Sequence, residues 1–248
     1  MVTLAVAMPI FNEADGIHET LSELNNAFKN ANEEAQFFIQ DDQSSDNTVE
    51  IISKSADDLG MKILIESNPV NLGHGPTVVN AYLRAIESEA EIVLQLDSDG
   101  QFNPGELIKL LDSVRRGTEL AIGVRKSRVD PWFRILLTKS LRVLLFVRFR
   151  KYFDDPNSPI RAYKKETLRD LILQVPSTAL IPNIYLAVLA KLRGKRIESF
   201  EMTHRDRRGK SKTGSTWVSK SKIKSITRLG KFTIRALKEF SRFKPEKL

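Results

Sequence analysis

The chain predicts an α/β fold: a Rossmann-like, doubly wound, mainly parallel sheet with basic amphipathic helices toward its C-terminal end. Three observations predict it. Short apolar runs alternate with segments of helical apolar spacing through the first half of the 248 residues. Four polar clusters (Pro9 to Glu13, Asp41-Asp42, Asn71 to Pro76, Asp97 to Gln101) each follow a predicted strand, and ligands of open parallel sheets sit outside the strands' carboxyl ends. The charge is also divided. Residues 1–114 hold five Lys/Arg against 20 Asp/Glu, a net of −15, whereas residues 115–248 carry +23.

The elements follow in order. Thr3 to Met8 is a first strand stopped by Pro9, and Ile17, Leu21, Leu24 and Phe28 space a helix to Ala31. Gln36 to Gln40 is the second strand. Asp46-Asn47-Thr48 then opens a helix through Leu59, with Asp46 or Ser45 as N-cap. Met61 to Glu66, Glu91 to Leu96 and Glu119 to Val124 supply three more strands, separated by helices at Thr77 to Glu89 and Pro104 to Arg116. Beyond Val124 the pattern changes to a long helical stretch from Pro131 to Lys151, a loop-to-strand segment from Asp154 to Tyr163, a helix from Leu180 to Leu192 and a strand from Arg196 to Thr203.

Composition excludes several classes. With 41% hydrophobic and 28% charged residues the chain is globular, and without cysteine it has neither disulfides nor thiolate metal sites. No apolar run approaches the roughly 18 to 20 residues that span a bilayer, and Met1 to Pro9 lacks the basic start of a signal peptide. The basic half invites nucleic acid as a partner. No nucleic-acid motif supports it, and aromatics are sparse among the basic runs.

Asp97-Ser98-Asp99-Gly100-Gln101 is the most informative cluster. Side chains alternate along a strand, so two carboxylates one residue apart leave its end on the same side. Converging hard oxygen donors suit Mg²⁺ or Mn²⁺, which keep positions open for substrate phosphates. That chemistry points to a metal-held diphosphate on a nucleotide-activated donor. Alone, the cluster also fits a polar turn.

Taken together, the motifs over roughly residues 3 to 214 resemble the family 2 glycosyltransferases of GT-A fold, in particular the branch similar to dolichyl-phosphate mannose synthase and bacterial polyprenyl-phosphate glycosyltransferases. The resemblance rests on Pro9-Ile10-Phe11-Asn12-Glu13 (with Phe11 where tyrosine is usual), Asp41-Asp42-Gln43-Ser44-Ser45-Asp46-Asn47-Thr48, Asn71-Leu72-Gly73-His74-Gly75, Asp97 to Gln101, and Arg205-Asp206-Arg207-Arg208-Gly209-Lys210-Ser211-Lys212. It implies that Pro9, Phe11, Glu13, Asp42 and Asp97 contact the nucleotide, and that Asp97, Asp99 and Gln101 hold the metal. Arg125, Arg207 and Lys212 would grip phosphates, with Arg205 and Arg208 competing for the role of Arg207. Asp155, in Asp154-Asp155-Pro156-Asn157-Ser158-Pro159, would orient the acceptor or act as base for a hydroxyl. Pro159 stands where relatives carry glycine. His204 is expected to pack or cap.

The implied reaction is an inverting, metal-dependent transfer of a sugar from a UDP- or GDP-linked donor to a membrane polyprenyl phosphate. The alternative acceptor is a hydroxyl of a polysaccharide, glycolipid or other glycan in cell-envelope biosynthesis. Residues 1–214 form the catalytic domain and residues 215–248 a basic amphipathic helix. Lys224, Arg228, Lys231, Arg235, Lys238 and Arg242 make a basic stripe, with Ile223, Ile226, Leu229, Ile234, Leu237 and Phe240 on the other side. Such a helix suits an anionic membrane surface, with residues 131–151 as a second interfacial helix. It equally suits packing on its own domain. The expected setting is the cytoplasmic face of a membrane, held peripherally, with a separate integral membrane subunit as a further expected partner.

Overall fold

In a computed structural model that describes residues 4–126, 142–207 and 222–245, the elements run in the following order. The first half holds β1 (Leu4–Ile10), α1 (Ile17–Asn30), β2 (Ala35–Asp41), α2 (Thr48–Leu59), β3 (Lys62–Ser67), α3 (His74–Ile86), β4 (Ile92–Gln95), α4 (Pro104–Arg115) and β5 (Leu120–Lys126). A helix, α5 (142–149), follows. The second half continues with β6 (Arg161–Lys164), α6 (Lys165–Ile172), α7 (Pro182–Leu192), β7 (Ile197–Thr203) and α8 (Lys222–Arg242). The strands form one sheet in the order β3-β2-β1-β4-β6-β5-β7. All neighbours are parallel except β6, which runs antiparallel to both β4 and β5. The mainly parallel doubly wound expectation is borne out.

Period-two alternation divides the core between the two sheet faces. Leu4, Val6 and Met8 of β1 pack with α1 and α4, whereas Ala5 and Ala7 face a cluster built from α3, α6, α7 and α8. Small residues in β1 let α3 lie close, and Tyr82 of α3 meets Tyr163 of β6 edge-on at 5.8 Å. Two glycines permit close approach elsewhere. A Cβ on Gly75, in the first turn of α3, would lie 2.2 Å from the Ala179 carbonyl oxygen, and one on Gly123 would lie 2.7 Å from Met202.

Some expected boundaries shift. Pro9 lies inside β1 rather than ending it. The reason is local: β4 pairs with β1 only as far as Ala7, and Pro9 points its missing N–H to that side, past the end of the ladder. Helix α3 starts at His74, three residues earlier than its apolar spacing suggests. Helix α6 is an eight-residue amphipathic element that the periodicity did not mark. Of the stretch expected as one helix from Pro131 to Lys151, residues 127–141 lie outside the described residues, and residues 142–149 are helical.

Helix α8 packs on the domain through Ala236 and Phe240, and Phe243 just past its end joins them in the core cluster of α7. Its apolar residues therefore do not share one side: Phe240 is buried, whereas Ile234 is 68% exposed beside the cations. Arg148 ties α5 to α8 by donating to the carbonyls of Ser241 (3.0 Å) and Phe243 (2.6 Å). No helix among the described residues is long and apolar enough to cross a membrane.

Candidate active site

The four polar clusters meet at the carboxyl ends of β1, β2, β3 and β4, and hydrogen bonds between loops hold them there. Asn12 adopts a left-handed φ of 52°, a conformation asparagine tolerates better than most residues. Its amide N–H donates to Ser44 Oγ (2.9 Å), and its Oδ1 accepts from the Ser45 N–H (2.8 Å). The Glu13 N–H donates to Thr48 Oγ1 at 2.8 Å. The N-cap of α2 is Asn47 rather than the expected Ser45 or Asp46, although the Asp46 carboxylate accepts from the Thr48 N–H (3.1 Å) in the helix's first turn.

Asp42 is buried and organises the next loop. Its Oδ1 accepts from Leu72 N–H (2.7 Å) and Asn68 Nδ2 (2.9 Å), and its Oδ2 accepts from Gly73 N–H (2.8 Å). Asn68 extends the network to Thr77 Oγ1 and Gln40. The loop leading into α3 thus wraps around one carboxylate. That places His74, at the start of α3, with Nε2 at 3.8 Å from Asp97 Oδ1.

The Asp97 to Gln101 segment follows β4. Its turn is closed by the Gln101 N–H donating to Asp99 Oδ1 (3.2 Å). The chain after β7 docks beside it: Phe102 bridges His204, and the Arg205 N–H donates to the Gln101 carbonyl at 3.3 Å. Arg207 then reaches the buried Glu13 as an ion pair, while Arg205 pairs with Glu23. Tertiary structure therefore selects Arg207 over Arg205 as the cation facing Glu13, Asp97 and Asp99.

The electrostatics suit the binding of a cation. Burial pushes the Glu13 carboxyl up to about 7, with Asp99 and Asp97 adding to the rise and Arg207 opposing it. Burial and the adjacent Asp97 hold the Asp99 carboxyl well above its ordinary value. Among the described residues no group of three or more His, Cys, Asp or Glu forms a closed metal cage. Mg²⁺ and Mn²⁺ do not need one, since they are held by one or two carboxylates plus substrate phosphates. Asp97 and Asp99, two hard donors whose repulsion a divalent ion relieves, fit that role, with Gln101 adjacent.

A pH dependence follows. Glu13 and Asp99 stay protonated in the folded chain at pH values where the unfolded chain has lost those protons. Their contribution to stability therefore falls as pH rises from about 4.5 toward 7. A divalent ion takes the deprotonated carboxylates, so its affinity weakens by up to tenfold per pH unit for each proton displaced once the pH falls below the raised folded-state value, about 6 for Asp99. Millimolar Mn²⁺ is expected to raise the unfolding temperature more at pH 8 than at pH 5.5. An equal rise at both values would overturn the assignment of these carboxylates to the ion.

The remaining expected residues are placed as follows. Pro9 is buried in β1, and Phe11 is half-buried at its end. Arg125 lies in β5 opposite Met202, and only its backbone is described. Lys212 and Arg208 fall outside the described residues. Asp155 borders a cavity of about 180 Å³ lined with Ile122, Phe153, Lys191 and Ser199, and not by the donor-side carboxylates. The structure thus brings Glu13, Asp42, Asp97, Asp99, Gln101 and Arg207 to one rim and sets Asp155 in a neighbouring pocket. Asn68 was not singled out from the sequence, and His74 appeared there only within the Asn71 to Gly75 motif, with no role of its own. Their signals, the residue after Gly73 and a lone asparagine after β3, are unremarkable until the loop closes around Asp42.

A family model for glycosyl transferase family 2 matches residues 5–173. The chain belongs to that family. It is a glycosyltransferase, and its fold is GT-A. The chain is 24% identical to an undecaprenyl-phosphate 4-deoxy-4-formamido-L-arabinose transferase from Edwardsiella ictaluri, over 96% of its own length and 71% of the relative's. The homonymous Proteus mirabilis protein is 24% identical over 82% of this chain and 60% of that protein. Among solved structures, glucosyl-3-phosphoglycerate synthase from Mycobacterium tuberculosis, in complex with Mn²⁺, UDP-glucose and glycerol 3-phosphate, superposes with a TM-score of 0.62. It has 18% identity and covers 97% of this chain and 80% of that one. Mannosyl-3-phosphoglycerate synthase from Rubrobacter xylanophilus gives a TM-score of 0.65 at 16% identity, with 100% and 77% covered. At those identities the solved structures speak for the fold.

Proposed function

We propose that this glycosyltransferase moves a sugar from a nucleotide donor to a polyprenyl phosphate at an anionic membrane surface, with inversion at the anomeric carbon. The observation that carries the reading is the joining of an acidic donor rim to an amphipathic platform in one fold. On the donor side, Asp97 and Asp99, with Gln101, would hold Mg²⁺ or Mn²⁺. The bound ion would offset charge on the departing nucleoside diphosphate. Glu13 and Phe11 suit the base, as hydrogen-bond acceptor and stacking face. Arg207, released from Glu13 when the donor enters, would bind phosphate oxygens with its planar fork.

On the acceptor side, a lipid phosphate is already an anionic nucleophile and needs no base, so Asp155 would orient rather than deprotonate. The platform consists of α5 and α8. Val143, Phe146 and Val147 on α5, and Ile234 on α8, are exposed, while Lys231, Arg235, Lys238 and Arg242 are exposed along α8. Apolar residues flanked by cations suit the headgroup region of anionic lipid. The relatives' undecaprenyl-phosphate acceptor supports the same reading. The transfer would take place at the cytoplasmic face, and a membrane subunit would add to the anchoring.

The test is turnover of a panel of UDP- and GDP-sugars with Mn²⁺ or Mg²⁺, with and without vesicles carrying undecaprenyl phosphate. Turnover that depends on those vesicles is expected. Equal turnover without them would overturn the lipid-phosphate acceptor and favour a hydroxyl acceptor.

A further inference from the structure

Among the described residues Arg161 is the bulkiest side chain fully withdrawn from solvent, and every hydrogen bond described for it ends on a neutral oxygen. Nε donates to the Ser158 carbonyl (2.7 Å) and Nη2 to the Pro156 carbonyl (2.6 Å). Nη1 donates to the Asn183 carbonyl (2.9 Å) and the Tyr163 hydroxyl (3.3 Å). A buried guanidinium is ordinarily paired with a carboxylate. Here its planar fork clamps the loop that carries Asp155, at the start of β6, onto the first turn of α7.

The clamp continues to the donor side. Asn183 Nδ2 donates to the Ser158 carbonyl (3.3 Å) and to Gln95 Oε1 (3.1 Å), and the Tyr82 hydroxyl donates to Asn183 Oδ1 (3.0 Å). Burial holds the Tyr82 phenol well above its ordinary value, so it remains a donor. Gln95 is register partner of Arg161 across β4 and β6, and its Nε2 donates to Asp97 Oδ1 at 3.4 Å. One buried polar chain therefore joins a donor-side carboxylate to the loop bearing Asp155. Ser158 adds a second tie, donating to the Gly123 carbonyl of β5.

We propose that Arg161 is a positioning residue for the acceptor: with Asn183, Gln95 and Tyr82 it fixes the 155–158 loop at a set distance from Asp97, and so sets where an acceptor phosphate sits relative to the donor. Reaction rates fall steeply when reacting groups are displaced by about 1 Å, and a buried network with no free polar group resists such displacement. The inference rests on the lipid-phosphate reading above.

The experiment uses the full chain and two probes, UDP with Mn²⁺ for the donor side and farnesyl phosphate for the acceptor side. Both are titrated calorimetrically against wild type, Arg161→Lys and Tyr82→Phe. Lysine keeps the charge but cannot span three carbonyls. Tyr82→Phe leaves the clamp intact and guards against a lysine variant that fails to fold. Arg161→Lys is expected to weaken farnesyl phosphate by about tenfold, and Tyr82→Phe by about threefold, with UDP held within about twofold. In the transfer assay the loss should appear in acceptor KM and kcat while donor KM stays. Parallel loss of both probes would mark a merely structural role and overturn the proposal, as would unchanged farnesyl phosphate binding. Wild type that binds UDP but no polyprenyl phosphate would overturn the acceptor reading itself; wild type that binds both, with variants indistinguishable from it, would overturn only the role of Arg161.

Discussion

Asp99→Ala is expected to lower metal-dependent donor turnover by about a thousandfold while the protein stays folded, the scale of loss when a group opposing charge in the transition state is removed. The side chain is half-buried beside Asp97, and its carboxyl is raised by burial and by that neighbour. Taking it away removes a repulsion in the metal-free protein, so the variant should unfold no earlier than wild type at pH 7. It also leaves Asp97 as the only carboxylate of the pair. Activity should fall and the Mn²⁺-dependent rise in unfolding temperature should disappear together. Retained turnover in this variant would sink the metal assignment.

Asp42→Ala is expected to destabilise the protein by about 2 to 4 kcal/mol, because one buried and two partly buried donors lose their acceptor at once. The Leu72 and Gly73 N–H groups and Asn68 Nδ2 all end on this one carboxylate, and nothing else described accepts from those two backbone groups. The loop they belong to opens α3 and sets His74 near Asp97. Urea unfolding would measure the loss, and UDP titration in the remaining folded protein should show weaker binding. A change below about 1 kcal/mol would mean that the loop holds its shape without Asp42. The sequence pattern suggested a nucleotide contact for this residue; the fold adds a prior task, since its oxygens already serve the loop.

These two residues mark how much of the site was legible beforehand. Asp99 could be found because its signal is local: an apolar strand, two carboxylates in register and a glycine turn. Asp42 stood out as part of a polar cluster at a strand end, with its nucleotide role implied by the family resemblance, but its partners lie 26 to 31 residues away, and no local pattern encodes them. Arg207 was one of three equivalent arginines in a basic run. Only the docking of residues 204–207 beside Gln101 separates it from Arg205. Arg161 ends the Asp154 to Arg161 segment yet had no role assigned to it, because its burial appears only once β6 is inserted between β4 and β5.

By itself the sequence determined the alternation of strands and helices, the parallel character of the sheet's first half, and the rim on which the polar clusters fall. Periodicity and strand-end chemistry are set by neighbours in the chain, so they can be read from it. The antiparallel insertion of β6, the division of α8 between a buried and an exposed apolar edge, the Glu13–Arg207 pair and the buried chain from Asp97 to Arg161 were decided by tertiary structure. Each depends on which distant segments share a small volume from which water is excluded. Pairing and burial there follow from the packing of the whole chain rather than from any stretch of it.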